Sequence, residues 1–294
     1  MLVATLSKRL LRVGQAKRCG LSLRSFSDAK DKDLVLTSID GDTGVATITM
    51  NQAPVNSLSL EMCQAITTAI KEVESQPEIQ SLVLASSLPG VFCAGLDITE
   101  LHKPDEKRLT DFWHSFQQIY FDLYGSRLAT IAAIAGHAPA AGCMLALSCD
   151  YRIMVSGAGS KKPSTIGLNE TKLGIVAPSW LGYQYIDTIG QRQAELGLSL
   201  GLLHQPEQAL AIGLVDELVP REEVLSRAQA EAVKWGKIPA KARLASKMLA
   251  RKARLDHLAA TRKEDNDFFR SFVTNETAQK IIDGYLQSLS KKKS

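Results

Sequence analysis

The sequence predicts an α/β fold of repeated strand–strand–helix units, followed by a helical C-terminal region. Three observations lead there. Short aliphatic and β-branched runs alternate with longer segments whose apolar residues fall at helical spacing. Gly-, Pro-, Asn- and Asp-bearing stretches punctuate the runs, as turns require. After Trp180 the alternation gives way to amphipathic helical segments.

The elements follow in order. LVLTSI from Leu34 and VATITM from Val45 read as strands joined by a turn at Asp40-Gly41-Asp42-Thr43-Gly44. After Pro54-Val55-Asn56-Ser57, the spacing of Leu60, Cys63, Ile66, Ile70 and Val73 predicts a helix that Pro77 stops. SLVLAS (Ser81–Ser86) is apolar almost throughout, as expected of a strand buried on both faces. A helix over 107–124, a strand over 130–135, a helix after Pro139 and a strand over 150–156 continue the pattern. Beyond Trp180, GLVDELV (Gly213–Val219) is one strand-like run. Three final helices are expected over 241–254, 255–272 and 275–289, each with one charged and one apolar face. Residues 27–225 are thus read as the α/β core. Residues 226–294 are read as a helical region that covers the site and forms a subunit interface, with Lys291–Lys293 a solvated tail.

The chain of 294 residues can bury one large core or two modest ones. Its net charge of +4 is unevenly placed. Residues 1–26 carry Lys8, Arg9, Arg12, Lys17, Arg18 and Arg24 and no acid, leaving 29 basic against 31 acidic side chains in the rest, a net of −2. That remainder is not a nucleic-acid binder by charge. The acid-free segment, with Leu2, Leu6, Leu10 and Leu11, reads as a mitochondrial transit peptide. Arg24-Ser25-Phe26-Ser27 resembles a matrix-protease site, which would start the mature chain near Ser27. No apolar run approaches the roughly 20 residues of a membrane span. Cys63, Cys93, Cys143 and Cys149 show no CxxC spacing and no nearby His partner. They read as packing residues rather than disulfides, metal ligands or nucleophiles.

Three segments carry chemistry. IGLNETKLGI (Ile166–Ile175) sets Glu170, one carboxylate among apolar residues, in a Gly-punctuated stretch. FCAGLDI (Phe92–Ile98) and HAPAAGCM (His137–Met144) are Gly/Ala-rich turns between a strand and a helix. Small residues there let a ligand approach the backbone, and a helix N-terminus behind each turn favours negative charge. Two such turns form an oxyanion hole, and a desolvated carboxylate facing it could move a proton beside a carbonyl.

In this order the segments resemble the crotonase superfamily of acyl-CoA enzymes. PVNSLSLEM, GVFCAGLDITEL, IAAIAGHAPAAG, ALSCDYRI and IGLNETKLGIVAPSWL carry the resemblance, which spans 34–289 and is closest to its enoyl-CoA isomerase branch. It implies a crotonase-like spiral of ββα units capped by C-terminal helices and assembled as a homotrimer. The oxyanion donors would be the backbone N–H groups of Leu96 and Ala141. Ala94, Gly95, Leu96, Asp97, Ile98, Ala141 and Asn169 would contact an acyl-CoA thioester. Hydratases of the superfamily use two glutamates, one at the position of Glu170 and one where this chain has Met144. A lone carboxylate suits proton transfer between two carbons, so the expected reaction turns 3-enoyl-CoA into 2-trans-enoyl-CoA, with Glu170 removing a proton at C2 and returning it at C4. An enoyl-CoA hydratase and a catalytically inactive acyl-CoA-binding protein are the alternatives. No metal or redox cofactor is implied beyond the CoA of the substrate. No nucleic-acid partner is expected.

Two departures from the family pattern stand out. The second turn has Ala141-Gly142 where Gly-Gly is usual, so a positive φ at Ala141 would strain the donor. The stretch Ser156–Pro163 is a few residues longer than usual and is expected to bulge as a surface loop, with Lys161 and Lys162 solvated. His137 reads as structural and Asp97 as a helix cap. Phe112, Trp113, Phe116, Tyr120 and Phe121 read as a core helix face that reaches the acyl pocket in part. Phe268, Phe269 and Phe272 are expected to close over the acyl tail.

Overall fold

The computed structural model describes residues 33–291. The expected leader over 1–26 and Lys292–Lys293 of the basic tail lie outside them.

Strands β1 (Val35–Asp40) and β2 (Val45–Met50) form an antiparallel hairpin, Val35 opposite Met50 and Asp40 opposite Val45. Its turn is closed by the Asp40 carboxylate, which accepts from the Asp42 N–H at 3.0 Å. Helix α1 (Leu60–Glu74) begins at Ser59, whose hydroxyl accepts from the Met62 N–H, and buries Cys63, Ile66, Ile70 and Val73 as their spacing predicts. β3 (Ser81–Ser86) pairs parallel to β2 and is buried on both faces up to Ser86. The two-residue β4 (Gly90–Val91) precedes a short 3-10 helix, Ile98–Leu101, and α2 (Glu106–Tyr124), which Asp105 caps. The pattern repeats with β5 (Ala129–Ile134), β6 (Gly136–Pro139) and α3 (Ala141–Ser148), then β7 (Tyr151–Val155) and β8 (Ile166–Gly167). A second 3-10 helix, Glu170–Leu173, leads to α4 (Ser179–Ile189), α5 (Gln191–Leu200) and α6 (Pro206–Ala211). β9 (Glu217–Val219), α7 (Val224–Gly236), α8 (Ala240–Val273) and α9 (Glu276–Lys291) complete the described chain.

The long strands form one sheet in the order β1-β2-β3-β5-β7-β9, and the short ones form a second, parallel sheet in the order β4-β6-β8. Each repeat is therefore a long strand, a short strand and a helix. The ββα spiral expected from the sequence is what the chain folds into, with α7 packed on β2, β3, β5 and β7.

The C-terminal helices differ from the sequence expectation. The two helices predicted over 241–254 and 255–272 are one helix of 34 residues, α8. No Gly or Pro interrupts Arg251–Asp267, so nothing in the backbone ends the helix there. Its N-terminal half is anchored through Asp150. That buried carboxylate meets Lys247 Nζ at 2.7 Å and Arg251 Nη1 at 3.0 Å, and accepts from the Thr130 N–H at 2.9 Å. The C-terminal half crosses α2, where Trp113 stacks on Phe269 with ring centroids 3.5 Å apart.

Candidate active site

The small sheet gathers the three chemical segments. β4, β6 and β8 run side by side, and each ends a few residues before Leu96, Ala141 and Glu170 respectively. Backbone bonds carry the register past the strand ends: Phe92 N–H donates to the His137 carbonyl at 2.9 Å, and Ala140 N–H to the Gly167 carbonyl at 2.8 Å. The two turns then touch. A methyl group on Gly95, where φ is +104°, would lie 3.3 Å from the Ala140 Cβ and 3.6 Å from the Ala141 nitrogen. One on Gly142 would lie 2.2 Å from the Cys93 carbonyl oxygen, so only glycine lets α3 begin against the first turn.

Both proposed donors are free at this point. Leu58 bridges Leu96 by donating to the Gly95 carbonyl at 2.8 Å and accepting from the Asp97 N–H at 2.9 Å. In a parallel bridge of this kind the Leu96 N–H itself points away, and it has no partner among the described residues. Ala141 opens α3, where the first N–H groups lack an intrahelical acceptor, and its N–H is unpaired as well. The positive φ anticipated at Ala141 lies one residue earlier. Ala140 holds φ 50° and ψ −121°, a conformation that favours glycine, and Ala141 is ordinary helix. The strain sits beside the donor rather than on it.

Glu170 begins the 3-10 helix after β8, and no ion pair reaches it among the described residues. Burial pushes its carboxyl up from the usual 4.5 to about 7, against a smaller lowering by its own backbone N–H. Burial first, and the Glu170 charge second, push the Cys143 thiol up, which places the carboxylate beside the start of α3. Asn169, just before it, carries a buried Oδ1 with no hydrogen-bond partner. Met144, at the place of the second glutamate of hydratases, is fully buried.

An apolar cavity, open to solvent, is lined by Leu96 of the first turn and by Leu173 of the 3-10 helix that Glu170 begins. Trp113 and Phe269 line it, as do Ile281 and Ile282 of α9. Phe268, Phe269 and Phe272 all border the cavity. Of the α2 aromatic face, Trp113 reaches the cavity. Phe112, Phe116 and Tyr120 are buried in the core.

The other residues singled out in the sequence take quieter places. Asp97 caps the first 3-10 helix, accepting from the Thr99 N–H at 3.0 Å and the Ser57 hydroxyl at 2.8 Å. Ile98 lines the cavity, and Ala94 donates its N–H to the Val55 carbonyl. His137 is exposed and ties β6 to Thr165 at 3.1 Å. Lys161 and Lys162 are exposed on the loop after β7, whose base is held by Glu207 accepting from the Gly157 N–H. The four described cysteines are free and buried, and burial raises Cys93 and Cys149 to about 12, as inert packing thiols require. No group of three or more metal-ligating side chains occurs among the described residues. Asp265 escaped the sequence reading, since a residue on a charged amphipathic helix gives no sign that it faces a cavity.

A family model described as enoyl-CoA hydratase/isomerase matches residues 40–293. The chain is 41% identical over 270 residues to "Enoyl-CoA delta isomerase 1, mitochondrial" of Rattus norvegicus, covering 92% of this chain and 91% of that protein. It is 40% identical over 259 residues to the Homo sapiens protein of the same name, covering 88% and 84%. The fold superposes on the crystal structure of human mitochondrial delta3-delta2-enoyl-CoA isomerase with a TM-score of 0.85 at 40% identity, covering 89% of this chain and 100% of that one.

Proposed function

Since the chain belongs to the enoyl-CoA hydratase/isomerase family, we propose that it works as a single-base isomerase with Glu170 as its proton shuttle. The activity is isomerisation of 3-cis- or 3-trans-enoyl-CoA to 2-trans-enoyl-CoA in the oxidation of unsaturated fatty acids. The thioester oxygen sits against the N–H groups of Leu96 and Ala141, with Ala94, Gly95, Asp97, Ile98 and Asn169 around it. Glu170 takes a C2 proton, and the electron pair of that bond flows onto the oxygen as a dienolate. The protonated carboxyl returns the proton at C4, the former C3–C4 double bond shifts to C2–C3, and the carboxylate is regenerated.

The observation that carries this reading is the lone carboxyl raised to about 7 by burial. Such a group is basic enough to take the proton and acidic enough to give it back. Two unpaired N–H groups at adjoining turns suit the enolate oxygen, where each donor typically contributes about a hundred- to a thousand-fold. Buried Met144 leaves no second carboxyl to activate water, which weighs against hydration. No cofactor takes part beyond the CoA carried by the substrate. The relatives are named mitochondrial, and the acid-free segment 1–26 supports delivery to the matrix. Exposed apolar side chains such as Ile238 and Leu249 suit burial in a homotrimer.

The test is conversion of 3-hexenoyl-CoA, followed by ultraviolet absorbance of the conjugated product, for wild type and Glu170→Gln. Rapid conversion by wild type that the variant loses while still binding acyl-CoA supports the shuttle. Addition of water to 2-trans-enoyl-CoA would make the protein a hydratase. Tight binding without turnover would make it a binding protein.

A further inference from the structure

The acyl cavity is lined mostly by apolar side chains, with the Tyr285 hydroxyl and Asp265 among the polar exceptions. Asp265, on α8, is the one charged side chain lining it among the described residues. Its Oδ2 accepts from Trp113 Nε1 at 2.7 Å, Gln117 Nε2 at 2.8 Å and Trp180 Nε1 at 3.3 Å. Trp113, Trp180 and Gln117 are all buried, so this oxygen is fixed at the inner wall. The other oxygen, Oδ1, accepts no hydrogen bond among the described residues and is not sealed from solvent, and the residue lines the cavity. No ion pair neutralises the group among the described residues. Three donors from α2 and α4 hold one carboxylate oxygen, so the side chain cannot swing out to follow water.

We propose that Asp265 is a specificity-determining residue of the acyl cavity: its open Oδ1 is a polar stop that favours acyl chains ending short of it. The inference rests on the isomerase reading of the same site. A tail that stops before the carboxylate leaves Oδ1 hydrated. A longer tail displaces that water with methylene groups that donate nothing, and the stranded charge opposes binding. Chains bearing a hydroxyl at their far end escape the penalty, because the hydroxyl can donate to Oδ1.

The experiment measures kcat/KM for 3-enoyl-CoA thioesters from hexenoyl to hexadecenoyl, with wild type and Asp265→Asn. The amide keeps the volume and one acceptor oxygen for the indoles while removing the charge. Wild type should fall off by roughly tenfold or more once the tail reaches the carboxylate, and the variant should raise the long-to-short ratio by a similar factor. A merely structural role would lower all lengths together, and an unchanged ratio overturns the proposal. Should Asp265→Asn fail to fold, the wild type is assayed with ω-hydroxylated chains of matched length. Faster turnover of the hydroxylated long chains supports the stop, and equal rates overturn it. No turnover at any length in wild type overturns the isomerase reading itself, and this inference with it.

Discussion

At Glu170 burial outweighs the one favourable contact, the carboxyl's own backbone N–H, and the group ionises near 7 instead of 4.5. The base must be ionised to take the C2 proton. kcat/KM should therefore climb about tenfold per unit of pH below that value and level off above it. Glu170→Gln should erase this limb and cost about a hundred- to ten-thousand-fold in rate. Stability moves the other way. A folded-state value above the unfolded one means the native protein holds the proton more tightly, so stability present below 4.5 is lost as pH rises to about 7. Denaturant unfolding of Glu170→Gln should gain on wild type across that window, and a constant gap would argue against desolvation. Ala140 makes a second prediction at this scale. Its φ of 50° costs an L-residue about 1–3 kcal/mol, more than the entropy glycine loses on folding. Ala140→Gly should raise unfolding free energy by about 1 kcal/mol, read from the denaturant midpoint.

Elements place these residues, and the smallest elements do most of the placing. β4 has two residues and β6 four, too few to show any period, so the sequence reading missed both. The turns they lead to were nonetheless visible, because Gly95 and Gly142 are demanded by close approach rather than by pattern. Gly142→Ala should shift the start of α3 away from Cys93 and cost activity out of proportion to stability, measured as kcat/KM beside thermal unfolding. α8 makes a different point. Charges that appear merely to solvate an amphipathic helix include Lys247 and Arg251, which clasp buried Asp150. Asp150→Ala strands both cations and should cost about 3–5 kcal/mol of stability. A loss under about 1 kcal/mol in urea unfolding would mean that water replaces the carboxylate.

For the whole molecule, the segments after the short strands, α2 and the C-terminal helices meet around one cavity. The spiral supplies the two turns and Glu170, while α8 and α9 line the cavity. Gln279 of α9 donates to the Leu101 carbonyl and accepts from the Lys103 N–H, both at 2.8 Å, so α9 is tied to the segment that follows the Gly95 turn. Light scattering of the purified protein should give three times the protomer mass. A monomer would leave Leu249, at 91% exposure, and Ile238, at 51%, without the burial that the homotrimer reading gives them.

The sequence by itself determined the repeated ββα architecture and the identity of the lone carboxylate and the two turns. Long strands and helices announce themselves through period, and close backbone approach demands small residues that can be read directly. Tertiary structure alone decided which N–H groups stay unpaired, where the strain falls and which charge enters the cavity. Those depend on distances between segments far apart in the chain. Asp265 lies 152 residues from the indole of Trp113 that it holds. No local pattern records such a meeting, because it arises only when α8 crosses α2.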